Sequence, residues 1–329
     1  VFERRNPAST TKVMTALVAL KYGNLEDMVT VPQESVITES GSSMAGVVPG
    51  DKLTLEQLLY GLLIPSGNDA ANAIAVHMGG SIEGFVEMMN EEAARIGATG
   101  THFANANGLT NEDHYMTAYD LYLMFHEALK YEKFRDIIGT KTYTGAYKGA
   151  DGSDKTASWS VSNYYMLGKR EMPDGLSVFG GKTGTTNENK DGWFVGYTRY
   201  YTTSVWVGYD MPKKLSGLSG ASYPGRIWKT FMQKIHEGLE PQEFLSYESG
   251  QPKTEEAVPQ ENPSAETPEN TTDQNQETKP IDIQGNVTEK PENKKDNKSS
   301  EDQENPSDSD NNQNDQNPTT TGNPTEGVQ

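Results

Sequence analysis

Three short clusters of side chains in this sequence could do covalent chemistry. The first is Ser9-Thr10-Thr11-Lys12, a serine and a lysine three residues apart. On a helix that opens near Ser9, the hydroxyl lies at the positive end of the dipole and Lys12 one turn on, on the same face. A serine becomes a useful nucleophile when a neighbouring base takes its proton. Lysine is such a base only where burial or a second cation lowers its pKa. The second cluster, Ser66-Gly67-Asn68, follows Pro65 at a helix junction. A hydroxyl and an amide there could relay a proton and hydrogen-bond a substrate amide. The third is Gly181-Lys182-Thr183-Gly184-Thr185-Thr186, at the end of an apolar run. A Lys and a Thr on a strand edge suit a carboxylate, and the glycines admit a second backbone. It is not a phosphate-binding Walker loop, because the Gly-x-x-x-x-Gly-Lys spacing is absent. Each cluster alone also reads as an ordinary helix cap or surface pair. Their occurrence together, in this order, carries the functional reading.

The elements that must position these clusters are mostly helical. Apolar spacing predicts a helix over 9–22 with Val13, Leu17, Val18 and Leu20 inward and Gly23 ending it at C′. Thr54 with Gln57 forms a capping-box pattern opening a helix over 55–64, stopped by Pro65. Further helices are expected over 68–78, ending at Gly79-Gly80, and over 82–96 with Phe85, Met88, Met89 and Ile96 inward. Another runs from a Thr117 cap through Tyr131. Residues 140–177, rich in Gly, Ser, Thr and Tyr, read as loops and short strands. Three strands follow over 176–183, 192–200 and 203–209, with a turn at Arg199-Tyr200-Tyr201-Thr202. A last amphipathic helix, over 224–236, turns Ile227, Trp228, Phe231, Met232 and Ile235 toward the sheet. The class is mixed α+β: a helical part, then an antiparallel sheet flanked by helices.

Composition divides the 329 residues unevenly. Of the net charge of −19, residues 251–329 carry −12, from 18 acidic residues against 6 lysines. That stretch has no aromatic residue and 9 of the 17 prolines, so it cannot bury enough apolar surface to offset chain entropy. The expected organisation is one catalytic domain over 1–245 and a disordered acidic, Asn-, Pro- and Glu-rich tail over 246–329. Neither part has the basic stripe that binding nucleic acid requires. No apolar run reaches the length of a membrane-spanning helix, and no cysteine is present for a disulfide, a thiolate metal site or a thiol nucleophile. The five histidines include no Gly-x-Ser-x-Gly elbow to serve, which argues against a Ser-His-Asp hydrolase.

Ser-x-x-Lys, Ser-x-Asn and Lys-Thr-Gly in this order form the signature of penicillin-binding proteins and class A β-lactamases. Longer stretches narrow the match: PASTTKVMTALVAL (7–20), LLYGLLIPSGNDAANAIA (58–75), THFANANGL (101–109), MTAYDL (116–121) and GGKTGTT (180–186). Over about 7–210 the chain resembles the low-molecular-mass serine D-alanyl-D-alanine carboxypeptidases. The resemblance implies a penicillin-binding, β-lactamase-like fold and hydrolysis of peptidoglycan stem peptides ending in D-Ala-D-Ala, with no metal or organic cofactor. In that family Ser9 would be the nucleophile, Lys12 its base, and Ser66 a proton-transfer partner. Asn68 would position substrate, Lys182 and Thr183 would hold the terminal carboxylate, and Gly184 and Thr185 would complete that edge. The backbone N–H groups of Ser9 and Thr185 would form the oxyanion hole. β-Lactams would acylate the same serine, and no obligate protein partner is evident.

Some features depart from the family. A class A β-lactamase needs a Glu-x-x-Leu-Asn to activate water, and none is found. The stretch VGYDMPKKLSGLSGASYPGRIWKTFM (207–232) looks more like the end of a transpeptidase domain. That leaves open D,D-transpeptidation, or a slowly deacylating β-lactam sensor or peptidoglycan-binding module. Only about six residues precede Pro7 where the family has two strands. An N-terminally truncated chain is therefore expected, with an unpaired edge at 203–209. An extracytoplasmic place at the cell envelope is implied, with the export signal upstream.

Overall fold

The structure is a computed structural model and describes residues 1–161, 180–240, 247–248 and 251–252. These lie in the compact unit Val1–Gln260. Residues 162–179, which include the start of the strand expected over 176–183, and the expected tail from 253 onward fall outside the described residues.

A 3₁₀ turn, Ala8–Thr11, leads into helix α1 (Lys12–Tyr22). Every residue from Lys12 to Ala19 is buried, so α1 is a central helix rather than an amphipathic surface one. Around it pack α2 (Leu55–Leu63), α3 (Asn68–Gly79), α4 (Ile82–Arg95) and α5 (Ala118–Ala128). The α2 capping box forms as expected: the Thr54 hydroxyl accepts from Gln57 N–H, and the Gln57 side chain accepts from Thr54 N–H. Phe85 and Met89 of α4 are fully buried. Gly80 adopts the left-handed conformation that ends α3. Gly23 differs from expectation: it ends α1 in extended backbone, its N–H still reaching Ala19 O.

The helix expected to run through Tyr131 stops at Ala128, and a separate α6 (Glu132–Gly139) follows. No Gly or Pro marks the break. It is sealed by Arg135, whose guanidinium donates to Leu129 O at 2.6 Å.

One antiparallel sheet joins β1 (Met28–Thr30), β2 (Lys52–Thr54), β3 (Thr142–Lys148) and β4 (Asp154–Ser160) in that order. Tyr143 and Trp159 of its β3–β4 hairpin stack in line with Tyr60 of α2, and Trp159 Nε1 donates to Ala45 O at 2.7 Å. The hairpin thereby props the chain segment 43–47 against α3. The second antiparallel sheet is β5 (Gly181–Thr185), β6 (Asp191–Tyr197) and β7 (Thr202–Gly208). Helix α7 (Tyr223–Ile235) packs on β6 and β7, while α5 packs on β7, so helices flank this sheet. Among the described residues β7 pairs only with β6, which leaves the edge expected at 203–209 unpaired.

Helix α7 corrects one expectation. Trp228 and Met232 are fully buried, but Ile227 is 50% and Phe231 47% exposed. At 100° per residue, five apolar residues span too wide an arc to meet one sheet. The line through Trp228, Met232 and Ile235 wins it.

Candidate active site

Ser9 sits in the 3₁₀ turn rather than on α1 proper, which alters the reason that Lys12 can reach it. In a 3₁₀ turn the side chains at i and i+3 eclipse, and the Lys12 Nζ–Ser9 Oγ distance is 3.1 Å. Lys12 Nζ also donates to Asn68 Oδ1 at 2.6 Å and to the backbone carbonyl of Asn107. All three acceptors are neutral oxygens, and among the described residues no carboxylate pairs with Lys12 within 4 Å. Lys12 is fully buried, and that burial, reinforced by the Lys182 charge and only partly opposed by Asp69, holds its pKa well below 10.5. Burial and a second cation, either of which would suit a lysine to act as a base, are both present.

Two non-glycine residues at the site take left-handed backbone, Ala8 at φ 48° and Ser66 at φ 64°. Such conformations cost about 1–3 kcal/mol each and concentrate where the surroundings hold a side chain in a required place. Ala8 precedes Ser9. Its carbonyl would lie 2.0 Å from any Cβ added at Gly108, itself at φ 91°, so only glycine fits there. Ser66 aims its Oγ at Lys182 Nζ, 2.9 Å away. Lys182, 1% exposed, also donates to Thr183 O at 3.1 Å. Ser66 is thus tied to the second lysine, not the first.

Among the described residues β5 pairs only with β6, and it carries Lys182, Thr183, Gly184 and Thr185, of which Thr185 lines the cleft. The glycine of Lys-Thr-Gly has a spatial reason: a Cβ on Gly184 would stand 2.8 Å from Pro7 O and 3.2 Å from Thr10 N. Strand β5 can therefore lie directly against the turn that carries Ser9. Ser9, Asn68, Asn107, Thr110, Thr185 and Asn187 line one cleft. Of the site residues named from the sequence, Ser9, Asn68 and Thr185 line this cleft, Lys12 bonds to Ser9 and Asn68, and Lys182 bonds to Ser66.

Four residues that the sequence did not single out support it. Asn107 supplies its carbonyl to Lys12, and its side-chain amide donates to Asn72 Oδ1 at 3.0 Å, which anchors the loop to α3. The carboxylate of Asp69, fully buried, accepts from the N–H groups of Ala45, Gly46 and Val47 and so fixes the wall opposite β5. His114 Nδ1 accepts from Ala104 N–H at 2.9 Å, so Nε2 carries the proton and donates to Thr11 Oγ1 at 2.7 Å. Burial first, then the charges of His102 and Lys12, push the His114 pKa down to about 3, which keeps it a neutral strut behind the Ser9 turn. The signal for Asn107 was the density of asparagines before Gly108; for the others only their distant contacts reveal the role. Among the described residues no three His, Asp or Glu side chains come together as a metal site would need.

A family model for D-alanyl-D-alanine carboxypeptidase matches residues 2–202. D-alanyl-D-alanine carboxypeptidase DacF of Bacillus subtilis is 38% identical over 193 residues, 57% of this chain and 46% of that protein. A D-alanyl-D-alanine carboxypeptidase of Streptomyces is 36% identical over 171 residues, 49% of this chain and 59% of its own. The chain therefore spans about half the length of the curated relatives it matches. The crystal structure of the Streptomyces K15 DD-transpeptidase superposes with a TM-score of 0.56 at 32% identity, covering 63% of this chain and 82% of that one. The fold expected from the sequence, penicillin-binding and β-lactamase-like, is the one observed. With a family model spanning well over half its length, the chain belongs to the D-alanyl-D-alanine carboxypeptidase family.

Proposed function

We propose that this chain is the catalytic part of a serine D-alanyl-D-alanine carboxypeptidase that removes the terminal D-alanine from peptidoglycan stem peptides. The observation that carries the reading is Lys12: a buried amine held by neutral oxygens, 3.1 Å from Ser9 Oγ. In its neutral form the amine has two hydrogens. They are given to Asn68 Oδ1 and Asn107 O, which leaves the lone pair facing the Ser9 hydroxyl. That is the arrangement a general base needs.

Lys12 takes the Ser9 proton as Oγ attacks the carbonyl between the two D-alanines. The N–H groups of Ser9 and Thr185 stabilise the oxyanion. Lys182 and Thr183 hold the terminal carboxylate, while Asn68 orients the amide. D-Alanine leaves as its nitrogen takes the proton that Lys12 received from Ser9, with Ser66, linked to Lys182, in place to relay it. Water then releases the shortened peptide from Ser9, and Lys12 again serves as the base. β-Lactams acylate Ser9 by the same first step. Such a substrate puts the enzyme outside the cytoplasmic membrane, at the cell envelope. The acidic stretch beyond 246 then serves as a spacer.

Fluorescent penicillin is expected to label the wild type and not Ser9→Ala, and the wild type to release D-alanine from a peptide ending in D-Ala-D-Ala. Absence of Ser9-dependent labelling would sink the assignment. Similarity to the Streptomyces K15 DD-transpeptidase supports a second reading that shares the acylation half. A cross-linked product formed on adding an amine acceptor, in preference to hydrolysis, would favour it.

A further inference from the structure

Asp191 is a buried acid that the reaction described above leaves unused. It opens β6, is 6% exposed, and has no cationic side chain within 4 Å among the described residues. Its carboxylate oxygens have neutral donors instead: Trp206 Nε1 to Oδ1 at 3.0 Å, and Thr186 Oγ1 to Oδ2 at 3.2 Å. The charges that bear on it are Arg5, whose guanidinium lies 5.0 Å over the Trp206 ring, and Lys190. Burial outweighs these donors and cations and holds the Asp191 pKa above the usual carboxylate value. A buried acid kept at such a cost beside an active site points to a task.

The task is visible in Thr186. Besides the carboxylate contact, Thr186 N–H donates to Asp191 O at 3.1 Å, and Asp191 N–H donates to Thr186 Oγ1 at 2.8 Å. The Thr186 hydroxyl thus accepts from one group of Asp191 and donates to another, which fixes its rotation. Thr186 has extended backbone directly after β5, and its N–H points across the hairpin toward β6. Successive N–H groups of an extended strand point to opposite sides. The Thr185 N–H therefore faces away from β6, on the side where β5 meets the Ser9 turn at Gly184. That is the direction an oxyanion donor needs, a role of Thr185 that belongs to the proposed function, on which this inference rests.

The turn beyond Thr186 works against this alignment. Glu188 and Asn189 are non-glycine residues in left-handed backbone, at φ 60° and 55°. Such a turn persists only where its surroundings hold it, and its relaxation would rotate the peptides at its base. We propose that Asp191 is a positioning residue for the oxyanion hole: by binding Thr186 and Trp206 together it clamps the base of the β5–β6 turn and keeps the Thr185 N–H aimed at the oxyanion. The indole N–H can only donate, and the Thr186 hydroxyl donates here, so the clamp needs an acceptor at both oxygens. A carboxylate provides this and an amide does not.

Penicillin acylation of Ser9 separates into a dissociation constant for the first complex and a first-order rate constant for bond formation. A misaimed oxyanion donor weakens the transition state and not the first complex. Asp191→Ala should therefore lower the rate constant about 30-fold, short of the effect of losing such a donor outright, and leave the dissociation constant within about twofold. Asp191→Asn, which accepts at one oxygen only, should lose about fivefold in the rate constant. Thr186→Val keeps the carboxylate and the side-chain shape but removes the hydroxyl, and should lose about tenfold. Combined with Asp191→Ala, it should add less than about twofold, because both act through one clamp. A rate constant within about twofold of wild type in Asp191→Ala, or an equal loss in the dissociation constant, would overturn the clamp while leaving the acylation of Ser9 intact. Should Asp191→Ala not fold, Thr186→Val decides by the same two constants. A wild type that is not acylated at Ser9 would overturn the reading of the site, and the clamp with it.

Discussion

Lys12 and Lys21 stand at opposite ends of α1, and the fold treats their charges in opposite ways. Lys12 is the first residue of the helix, fully buried, at the positive end of the dipole, with Lys182 nearby and only neutral oxygens as acceptors. Lys21 lies in the last turn, where the dipole favours a cation, with its Nζ 2.8 Å from Glu92 Oε2. Partial burial works against the Lys21 ammonium, but hydrogen bonds with Glu92 and Tyr22 outweigh it and its pKa is raised. Glu92, buried, is bound by Arg95 at 2.7 and 2.8 Å, by Lys21, and by Tyr22 at 3.0 Å. Burial opposes the Glu92 carboxylate too, yet these bonds, Arg95 first, lower its pKa. A buried charge with matched counter-charges is structural. A buried cation given only neutral acceptors is poised to lose its proton, and that is the signature of a base.

The largest expected effect lies at the first end of the helix. A guanidinium cannot deprotonate near neutrality. Lys12→Arg is therefore expected to slow penicillin labelling of Ser9 by about 10³-fold, within the range general bases contribute. Retention of the rate within about tenfold would remove Lys12 from the base role. The pH profile sharpens the point. Labelling by the wild type should fall away as pH drops through the lowered Lys12 pKa, and should already be supported well below 10.5.

Most of this corner was legible because it is local. Ser9 and Lys12 are three residues apart, and Thr54 and Gln57 announce their own capping box. Lys12 and Asn107, by contrast, are 95 residues apart and meet through a main-chain carbonyl, which no side-chain pattern reports. The same holds for Asp69, whose carboxylate is bound by three consecutive backbone N–H groups. On α7 the composition correctly indicated an amphipathic helix but overfilled its buried face with Ile227 and Phe231. Packing geometry, not hydrophobicity, decides which apolar residues a sheet can cover.

At the other end of α1 the contrast predicts a loss of stability. Glu92→Gln keeps the shape but removes the charge that Arg95 and Lys21 share. Both cations can still reach water, so the cost should be about 2 kcal/mol in denaturant unfolding rather than the larger figure for a fully buried pair. Because the folded-state pKa of Glu92 is lowered, its contribution is present above 4.5 and is lost as pH falls through the lowered value. The gap between wild type and Glu92→Gln should therefore close in acid. An unchanged gap would mean that the cluster is not held by charge.

Lys12→Met should act with the opposite sign. The folded-state pKa of Lys12 lies below its unfolded value, so between the two the unfolded chain binds more protons and wild-type stability rises with pH toward 10.5. At neutral pH the wild type carries the cost of an unfavourably placed amine, and replacing it with an apolar side chain of similar length relieves that cost. Asn68 Oδ1 and Asn107 O lose a donor in exchange; both residues line the cleft, where water can replace it. The net expectation is an inactive variant about 1 kcal/mol more stable than wild type at pH 7, the trade between function and stability that strained catalytic groups impose. Its advantage should shrink as pH rises toward 10.5, since the penalty it removes disappears there. A Lys12→Met protein that is less stable than wild type, with the same pH slope, would show that the fold accommodates the Lys12 charge as comfortably as that of Lys21, and the contrast between the two ends of α1 would fail.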